Sequence, residues 1–252
     1  MEESKNPLVS IITVSFNSDK TIERTIKSVI NQTYENIEYI IIDGGSKDST
    51  LSIINSYAGY VKHWVSEQDN GIYHAMNKGI LASNGDIIGI INSDDWLNHD
   101  SVEKVVTASK EIDAEMFVIH GKIALYDKYN IFVREHYPKK IPWYHFISTP
   151  FKHPSMFVAR EVYKKIGLFD EHIGLSADYD FMLRVIRNHC QTHFLDTVIT
   201  NVQNIGISTG GFEQGPFGMR VEVVRRHTGN TVLAMLICSA RVCYRFVRGL
   251  EN

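Results

Sequence analysis

The first hundred residues alternate between short apolar runs and segments with the spacing of an amphipathic helix. Residues 8–15 and 37–42 are rich in β-branched side chains and almost continuously apolar, as expected for parallel strands buried on both faces. Between them, Ile22, Ile26 and Val29 recur at helical spacing on one face. The alternation continues into a fourth apolar run, and its β-α-β-α-β-α-β order predicts a parallel sheet covered by helices.

Polar clusters follow three of these predicted strands. They comprise residues 15–17 after the first strand, 43–46 after the second and 92–95 after the fourth. Ligands of open α/β sheets bind beyond the carboxyl ends of the strands. The placement of the clusters therefore predicts a binding site at that edge of the sheet.

The second half of the chain is less regular. Strands are predicted at 116–125, 131–136 and 194–199, and short helices at 161–166 and 178–188. Residues 138–150 are predicted to form a loop, and residues 206–218, which include five glycines, a mobile one.

Composition and charge exclude several classes of protein. The net charge is −3, so the chain lacks the basic field of a nucleic-acid-binding protein. The G-x-G-x-x-G dinucleotide fingerprint and the P-loop are both missing, which argues against NAD binding and ATP hydrolysis. No signal peptide is visible, and no apolar stretch reaches the roughly 18–20 residues of a membrane span, so we expect a cytoplasmic protein.

The sharpest chemical signal is Ser93-Asp94-Asp95, directly after an apolar strand. Adjacent carboxylates repel each other, and a divalent cation relieves that repulsion. Mg²⁺ or Mn²⁺ held by one or two carboxylates commonly completes its shell with phosphate oxygens of a substrate. The alternative is that one of the two acids caps the following helix.

Two further candidates belong to the first half of the chain. Asp43 ends the second strand before Gly44, where its carboxylate can accept hydrogen bonds from a base or ribose and the glycine allows a close approach. A tight turn with a helix cap at Asp48 is the alternative for this segment. Lys78 lies in the helix after the polar loop 66–73 and either faces a diphosphate or is solvated.

Two candidates belong to the second half. Asp178 opens a helix far from the acidic pair in sequence, and a carboxylate there serves as a general base if it points into the same cleft. Its alternative is a helix cap. His153 contacts an acceptor or a phosphate, or is a structural histidine.

Taken together, these segments resemble family 2 glycosyltransferases with the GT-A fold, and in particular the bacterial branch that builds surface and extracellular polysaccharides such as colanic acid. The segments are SIITVSFN (10–17), DGGSKDST (43–50), SEQDNGIY (66–73) with AMNKG (75–79), and NSDD (92–95). The resemblance covers about residues 7–210, and the second half matches loosely, through 153–157 and 177–180.

The resemblance implies an α/β architecture with a Rossmann-like, mostly parallel central sheet flanked by helices. It implies one domain over 1–230, with a nucleotide-binding half at about 7–100 and a less regular acceptor half at about 101–230. Residues 231–252 are predicted to form a helical tail, in which Arg241, Arg245 and Arg248 recur beside apolar residues. This pattern predicts a helix on a membrane surface, or one packed on the domain or in a dimer.

The resemblance also implies roles for individual residues. Asp43 is the acid that holds the base, and Asp69 is a further donor-site acid. Asp95 binds Mn²⁺ or Mg²⁺, while Asp94 helps to hold the ribose and contributes to the metal motif. Asp178 is the catalytic base, with Asp180 as a second possibility. The nucleotide pocket is completed by Thr13, Ser15, Asn17, Gly44 and Ser93.

The implied reaction is an inverting transfer of one sugar from a nucleotide-diphosphate sugar, by default a UDP-sugar, to a saccharide or polyprenyl-linked acceptor. The sequence departs from the family pattern at His74, where the branch often has an acid, and at Ala177, which replaces a glutamate before the base. The Gln-x-x-Arg-Trp motif and the membrane spans of processive synthases are missing, which favours single-sugar transfer.

Three alternatives stay open from the sequence. One is a non-catalytic nucleotide-sugar-binding protein of the same fold, and another is a sugar nucleotidylyltransferase, although residues 15–18 lack the glycine-rich loop of those enzymes. The third is a glycoside hydrolase that uses two carboxylates without metal or nucleotide. The donor sugar, the acceptor and the oligomeric state are not determined by these patterns.

Overall fold

A computed structural model of the chain describes residues 6–136, 151–203 and 217–249. Within these residues one sheet contains β1 (Val9–Ser15), β2 (Ile37–Asp43), β3 (His63–Ser66), β4 (Ile87–Asn92), β5 (Trp96–Leu97), β6 (Phe117–Tyr126), β7 (Phe132–His136), β8 (Met156–Ala159) and β9 (Gln191–Gln203). The α-helices are α1 (Ile22–Ile30), α2 (Thr50–Ser56), α3 (Ile72–Ala82), α4 (Ser101–Ser109), α5 (Arg160–Ile166), α6 (Ala177–Arg187), α7 (Phe217–Thr228) and α8 (Thr231–Gly249).

The strands lie in the order β3-β2-β1-β4-β8-β6-β9-β5, and β7 pairs with β6. The first four are parallel, as the alternation in the sequence predicts. β8 runs antiparallel to both β4 and β6, while β6 and β9 are parallel, so the sheet is mixed in its second half. Ser15 pairs with Asp43, and Val14 with Asn92. The carboxyl ends of β1, β2 and β4 therefore lie side by side.

The apolar residues of β1 divide between hydrophobic layers on the two faces of the sheet. Ile12 and Val14 join the layer that includes α3, α6 and α7, whereas Val9 and Ile11 join the layer that includes α1 and α4. Each fully buried side chain of this size contributes about 1.5–3 kcal/mol. A Cβ at Gly79 would collide with Ile12, so the glycine lets α3 approach the sheet closely.

The second half contains elements that the sequence pattern did not predict. Two are the short strand β5 and the helix α4, which follow the acidic pair, and a third is α7. β9 is longer than the predicted strand at 194–199 and pairs along β6 with two register shifts. The predicted loop at 138–150 lies outside the described residues. The predicted loop at 206–218 also lies outside them, except that its last two residues begin α7.

The tail forms a helix, as predicted, and α8 packs partly on the rest of the protein. Ala234 and Cys238 are buried in the same layer as α7. Four large apolar side chains of α8 are exposed, namely Val232, Leu233, Met235 and Leu236. The side chains of Arg241, Arg245 and Arg248 lie outside the described part of the structure. In the part that is described, every helix is too short or too polar to cross a membrane.

Candidate active site

The carboxyl ends of β1, β2 and β4 open onto a cleft of about 1520 Å³. Several residues that the sequence singles out line it, namely Ser15, Asn17, Gly44, Asp69, Ser93 and Asp94. Others stand behind this lining or at a distance from it, namely Thr13, Asp43, Lys78, Asp95, His153, Asp178 and Asp180. A cleft therefore lies at the predicted edge of the sheet. Some of the predicted residues line it, and the others lie behind the lining or at a distance.

The loops after β1 and β2 are cross-linked through Asn17. Its backbone N–H donates to Ser46 Oγ at 2.8 Å, and its side-chain Oδ1 accepts from the backbone N–H of Lys47 at 2.9 Å. Asn17 has a φ of 49°, a left-handed conformation that asparagine tolerates better than most residues. The backbone N–H of Gly44 donates to the carbonyl of Ser15 at 2.8 Å, which closes the two loops into one wall of the cleft.

Asp43 is fully buried, and its carboxylate is saturated by hydrogen bonds from its surroundings. Oδ1 accepts from Ser15 Oγ at 2.9 Å and Ser46 Oγ at 2.6 Å, and Oδ2 accepts from Ser66 Oγ at 2.7 Å and from the backbone N–H groups of Gly45 and Ser46. Burial alone would raise the pKa of Asp43, but these hydrogen bonds outweigh it and lower the pKa. Asp43 therefore organises the loop, and its contact with a base stays a prediction.

Asp69 and Lys78 form an ion pair that fixes the polar loop after β3 onto α3. Lys78 Nζ lies 2.5 Å from Asp69 Oδ1 and 2.8 Å from Glu67 Oε1. Burial alone would lower the pKa of Lys78, but the two carboxylates outweigh it and raise the pKa. His74, one of the departures from the family pattern, lies 3.2 Å from the same Asp69 oxygen. The ammonium is therefore engaged by protein carboxylates, and its contact with a diphosphate stays a prediction.

The acidic pair is held at the end of β4, with Asp94 facing the cleft and Asp95 buried behind it. Asp95 Oδ2 accepts from Asn92 Nδ2 at 3.1 Å, and Oδ1 accepts from the backbone N–H of Gln203 at 3.3 Å. Burial raises the pKa of Asp94, against the opposing charge of Arg24. Burial, and then the charge of Asp94, raise the pKa of Asp95 well above its ordinary value.

The oxygens around the acidic pair fit a divalent cation. Asn92 Oδ1 is buried and accepts no hydrogen bond from the described residues, although the Nδ2 atom of the same amide donates to Asp95. Two carboxylates and an amide oxygen are hard ligands of the type that Mg²⁺ and Mn²⁺ take. Among the described residues no cluster of three or more His, Cys, Asp and Glu side chains forms a metal centre. A cation at Asp94 and Asp95 would complete its shell with other oxygens, such as those of water or phosphate.

The helix-cap interpretation of the acidic pair is wrong. β5 follows Asp95 directly, and α4 begins only at Ser101, with Asp100 in the N-cap position. The predicted cap at Asp48 is displaced by one residue: Ser49 occupies the N-cap position of α2, and Asp48 Oδ1 accepts from the backbone N–H of Thr50, the first residue of the helix.

Asp178 lies in the first turn of α6, beside groups from three other segments. Burial, and then the charge of Asp178, raise the pKa of Tyr73 on α3 well above its ordinary value. Burial lowers the pKa of His153, and the charge of Asp178 opposes that shift. Burial likewise lowers the pKa of Arg220 on α7, and the charges of Tyr179 and Asp178 oppose that shift. The structure therefore brings Asp178 and His153 together. Tyr73 lies between Ile72 and Ala75, two residues of α3 that line the cleft.

Asp180 and Thr13 are engaged in internal contacts. Asp180 is buried between Arg184 Nε at 2.7 Å and His227 Nε2 at 3.0 Å, so it joins α6 to α7. Burial alone would raise the pKa of Asp180, but these two partners outweigh it and lower the pKa. This arrangement favours a structural role for Asp180. Thr13 is buried in β1 and shares a 3.0 Å hydrogen bond with the Tyr39 hydroxyl.

Three residues that the structure brings to these groups carry no signal in the sequence. Arg24, Gln203 and Arg220 stand among charged or apolar residues of helices and strands, and no local motif marks them, whereas Tyr73 belongs to the segment 66–73 but has no predicted role. Arg220 is only 4% exposed and stacks on Tyr179 at 3.7 Å, while its Nε and Nη2 atoms have no partner in the described structure. Their proximity to the acids arises only from packing.

Comparison with solved structures shows the same fold in glycosyltransferases of the GT-A type. Staphylococcus aureus TarS 1–349 in complex with UDP-GlcNAc superimposes with a TM-score of 0.67 at 16% identity, over 93% of this chain and 71% of that one. The mannosyltransferase PcManGT from Pyrobaculum calidifontis, in complex with GDP-Man and Mn²⁺, gives a TM-score of 0.65 at 15% identity, over 96% of this chain and 75% of that one.

Sequence comparison gives the family. An uncharacterized glycosyltransferase of Mycobacterium tuberculosis is 30% identical over 97% of this chain and 92% of its own length. Chondroitin synthase of Escherichia coli is 32% identical over 71% of this chain, which spans only 26% of that protein. The family model for glycosyl transferase family 2 matches residues 10–169, more than half of the sequence. The chain belongs to glycosyl transferase family 2.

Proposed function

We propose that this glycosyltransferase moves a single sugar, with inversion, from a nucleotide-diphosphate sugar to a saccharide or lipid-linked acceptor. The observation that carries the proposal is the acidic pair at the cleft, where Asp94 and Asp95 lie beside the unpaired oxygen of Asn92. Burial and the charge of Asp94 disfavour the ionised form of Asp95, and the positive charge of a bound cation would offset both effects.

The donor in this proposal lies along the wall formed by the loops after β1 and β2. Ser15, Asn17 and Gly44 line that wall and offer hydroxyl, amide and backbone groups. Solved structures of the same fold contain UDP-GlcNAc in one case and GDP-Man in another, which supports a nucleotide-sugar donor. We take UDP as the default nucleotide of the donor, with GDP and dTDP as the alternatives for the experiment below.

Asp178 is the proposed general base. It accepts the proton of the acceptor hydroxyl while the acceptor oxygen forms its bond to the anomeric carbon and the bond to the donor diphosphate breaks. Burial together with the Asp178 charge raises the pKa of Tyr73 well above its ordinary value. The phenol therefore stays protonated beside the carboxylate. No covalent nucleophile is needed in this scheme.

Asp95 and Asp94 are the proposed ligands of Mn²⁺ or Mg²⁺. A bound cation there supplies positive charge to the diphosphate that leaves.

Two further proposals concern the domain organisation of the enzyme and its biological role. We propose one catalytic domain over 1–230 and a role in bacterial surface or extracellular polysaccharide synthesis, which the resemblance of the motifs supports.

Calorimetric titration tests the donor class and the metal site together. The wild-type protein and Asp95→Ala are titrated with UDP, GDP and dTDP, each with and without Mn²⁺. We expect one nucleotide to bind in a metal-dependent manner and the variant to lose that binding. Absence of nucleotide binding in every condition would overturn the transferase proposal in favour of a non-catalytic protein of the same fold.

We also propose that α8 lies on an anionic membrane surface, which suits a lipid-linked acceptor. Its exposed apolar residues support this, since the helical spacing places Val232 and Leu236 away from the face that carries the buried Ala234 and Cys238. Co-sedimentation with vesicles of anionic and of zwitterionic lipid tests the proposal. Leu236→Glu should weaken binding to the anionic vesicles several-fold, and equal sedimentation of both proteins would contradict it.

A further inference from the structure

Two adjacent residues of α1 hold the backbone of the acidic pair. Thr25 Oγ1 lies 3.0 Å from the carbonyl oxygen of Ser93 and 2.6 Å from that of Asp95, so its single hydrogen is shared between the two. Arg24 Nη2 donates to the intervening carbonyl, that of Asp94, at 2.8 Å. Three consecutive carbonyl groups are therefore fixed by one turn of one helix.

The guanidinium of Arg24 is itself fixed in place. It stacks on the indole of Trp96 with 3.7 Å between the guanidinium carbon and the ring centroid. Nη1 donates to Asn130 Oδ1 at 2.7 Å, and Nη2 also donates to Gln203 Oε1 at 2.7 Å. A planar fork of this kind satisfies several acceptors at once, which a lysine ammonium on a flexible stem does not reproduce.

The partners of Arg24 connect the acidic pair to the second half of the fold. Gln203 Nε2 donates to Asn130 Oδ1 at 3.0 Å, which closes a ring between Arg24, Asn130 and Gln203. The backbone N–H of Gln203 also donates to the carboxylate of Asp95. The turn before β7, the end of β9 and the acidic loop are thus held by one arginine.

Arg24 binds the backbone of the acidic loop and leaves the carboxylates available. Its hydrogen bond goes to the carbonyl of Asp94, and no ion pair joins its guanidinium to the carboxylate of Asp94 or Asp95 in the described structure. Two neighbouring carboxylates repel each other, and a loop that was free to rotate would turn them apart. Fixing the carbonyls opposes that rotation without occupying a carboxylate oxygen.

We propose that Arg24 and Thr25 are positioning residues, which hold the Asp94 and Asp95 carboxylates in the arrangement that a divalent cation and a nucleotide diphosphate require. Arg24 also links the acidic loop to Asn130 and Gln203, which line the cleft. The inference rests on the proposed function, because it assigns these residues to the same metal and donor site.

The test uses variants that separate charge from geometry. Arg24→Lys keeps the charge and loses the fork, whereas Arg24→Gln loses both. Thr25→Val keeps the shape and loses the hydroxyl, and Thr25→Ser restores the hydroxyl. Lys27→Gln is the matched control, since Lys27 is an exposed cation one turn along α1 that pairs with the exposed Glu23.

The readouts are Mn²⁺ binding, followed by the electron paramagnetic resonance signal of free Mn²⁺, and UDP and GDP binding in the presence of Mn²⁺. We expect Arg24→Lys, Arg24→Gln and Thr25→Val each to weaken Mn²⁺ binding about tenfold, the equivalent of one lost hydrogen bond. Thr25→Ser and Lys27→Gln should bind as the wild type does. Hydrogen exchange of residues 93–98 should accelerate in the three weakened variants.

Several outcomes would overturn the inference. Wild-type Mn²⁺ affinity in Arg24→Lys means that charge alone matters, and wild-type affinity in Arg24→Gln means that the arginine has no role at the site. Unchanged exchange of residues 93–98 in Arg24→Lys and Thr25→Val refutes the positioning of the loop, whatever the protein binds. Failure of the wild type itself to bind Mn²⁺ and nucleotide instead refutes the proposed function.

Discussion

Two loops at the same edge of the sheet place their carboxylates in contrasting environments. In the loop after β2, Asp43 is buried and saturated by hydrogen bonds, and its pKa is lowered. In the loop after β4, Asp95 is buried and Asp94 is half-buried at the cleft, but the two carboxylates have few donors among the described residues and raised pKa values. The first arrangement stabilises a loop, whereas the second leaves unbalanced negative charge beside a cleft. The position of an acid at this edge of the sheet therefore identifies a candidate metal site only together with its hydrogen-bond donors.

Replacement of Asp95 should give the largest effect. Asp95→Asn removes a proposed metal ligand, and the loss of several kcal/mol of leaving-group stabilisation corresponds to about a thousandfold in kcat/KM. The same change relieves a buried repulsion, so the melting temperature of the metal-free protein should stay equal or rise. Steady-state kinetics and calorimetric melting measure the two effects.

The control for this comparison is Glu111→Gln, an exposed acid outside the cleft lining. It should change neither activity nor melting. A strong loss of stability in Asp95→Asn, with kcat/KM retained, would mean that Asp95 belongs with Asp43 as a structural acid.

Replacement of Asp178 extends the comparison to an acid outside both loops. Asp178→Asn removes the proposed base, and general-base catalysis is worth about a hundredfold to a thousandfold in kcat. Metal-dependent nucleotide binding should be unchanged, because the acids at the cleft are intact. Turnover of the donor and titration with the nucleotide are measured on the same preparation. Retained turnover with normal nucleotide binding would remove Asp178 from the mechanism.

Replacement of Asp43 should affect stability most. Asp43→Asn turns an amide toward backbone and hydroxyl donors, which leaves some of them unpaired, and about 3 kcal/mol of unfolding free energy should be lost at neutral pH. The folded pKa of Asp43 lies below its unfolded value of about 4. The contribution of Asp43 to the free energy of unfolding is therefore present above that value and is lost as the pH falls through the folded pKa.

Denaturant unfolding at a series of pH values measures that contribution. The difference between the wild type and Asp43→Asn should be constant above about pH 4 and shrink below it. A difference that grows in acid would contradict the assigned direction of the pKa shift. Loss of nucleotide affinity without loss of stability would instead support a contact between Asp43 and the base.

Replacement of Lys78 should give the smallest effect. Its ammonium is held by Asp69 and Glu67, so Lys78→Gln should change UDP affinity by less than about threefold, in the range of a partly exposed ion pair. Titration of UDP and uridine separates a diphosphate contact from a base contact. A tenfold loss for UDP alone would return Lys78 to the diphosphate site.

The polar clusters after β1, β2 and β4 could be identified from sequence because each directly follows a buried strand. Ser15, Asn17 and Asp94 line the cleft as the pattern predicts. The sequence did not indicate that Asp43 faces inward or that Lys78 is paired. Both depend on groups far along the chain or on another element, such as Ser66 for Asp43 and Asp69 for Lys78.

The amino-acid sequence by itself determined the α/β class, the parallel first half and the position of the acidic pair, because these depend on local periodicity and on residues that adjoin a strand. Only the tertiary structure decided which acids are satisfied. It brought Tyr73, His153 and Arg220 to Asp178, and it set Arg24 against the acidic loop. Hydrogen bonds and burial between distant segments have no period along the chain, and so no local pattern encodes them.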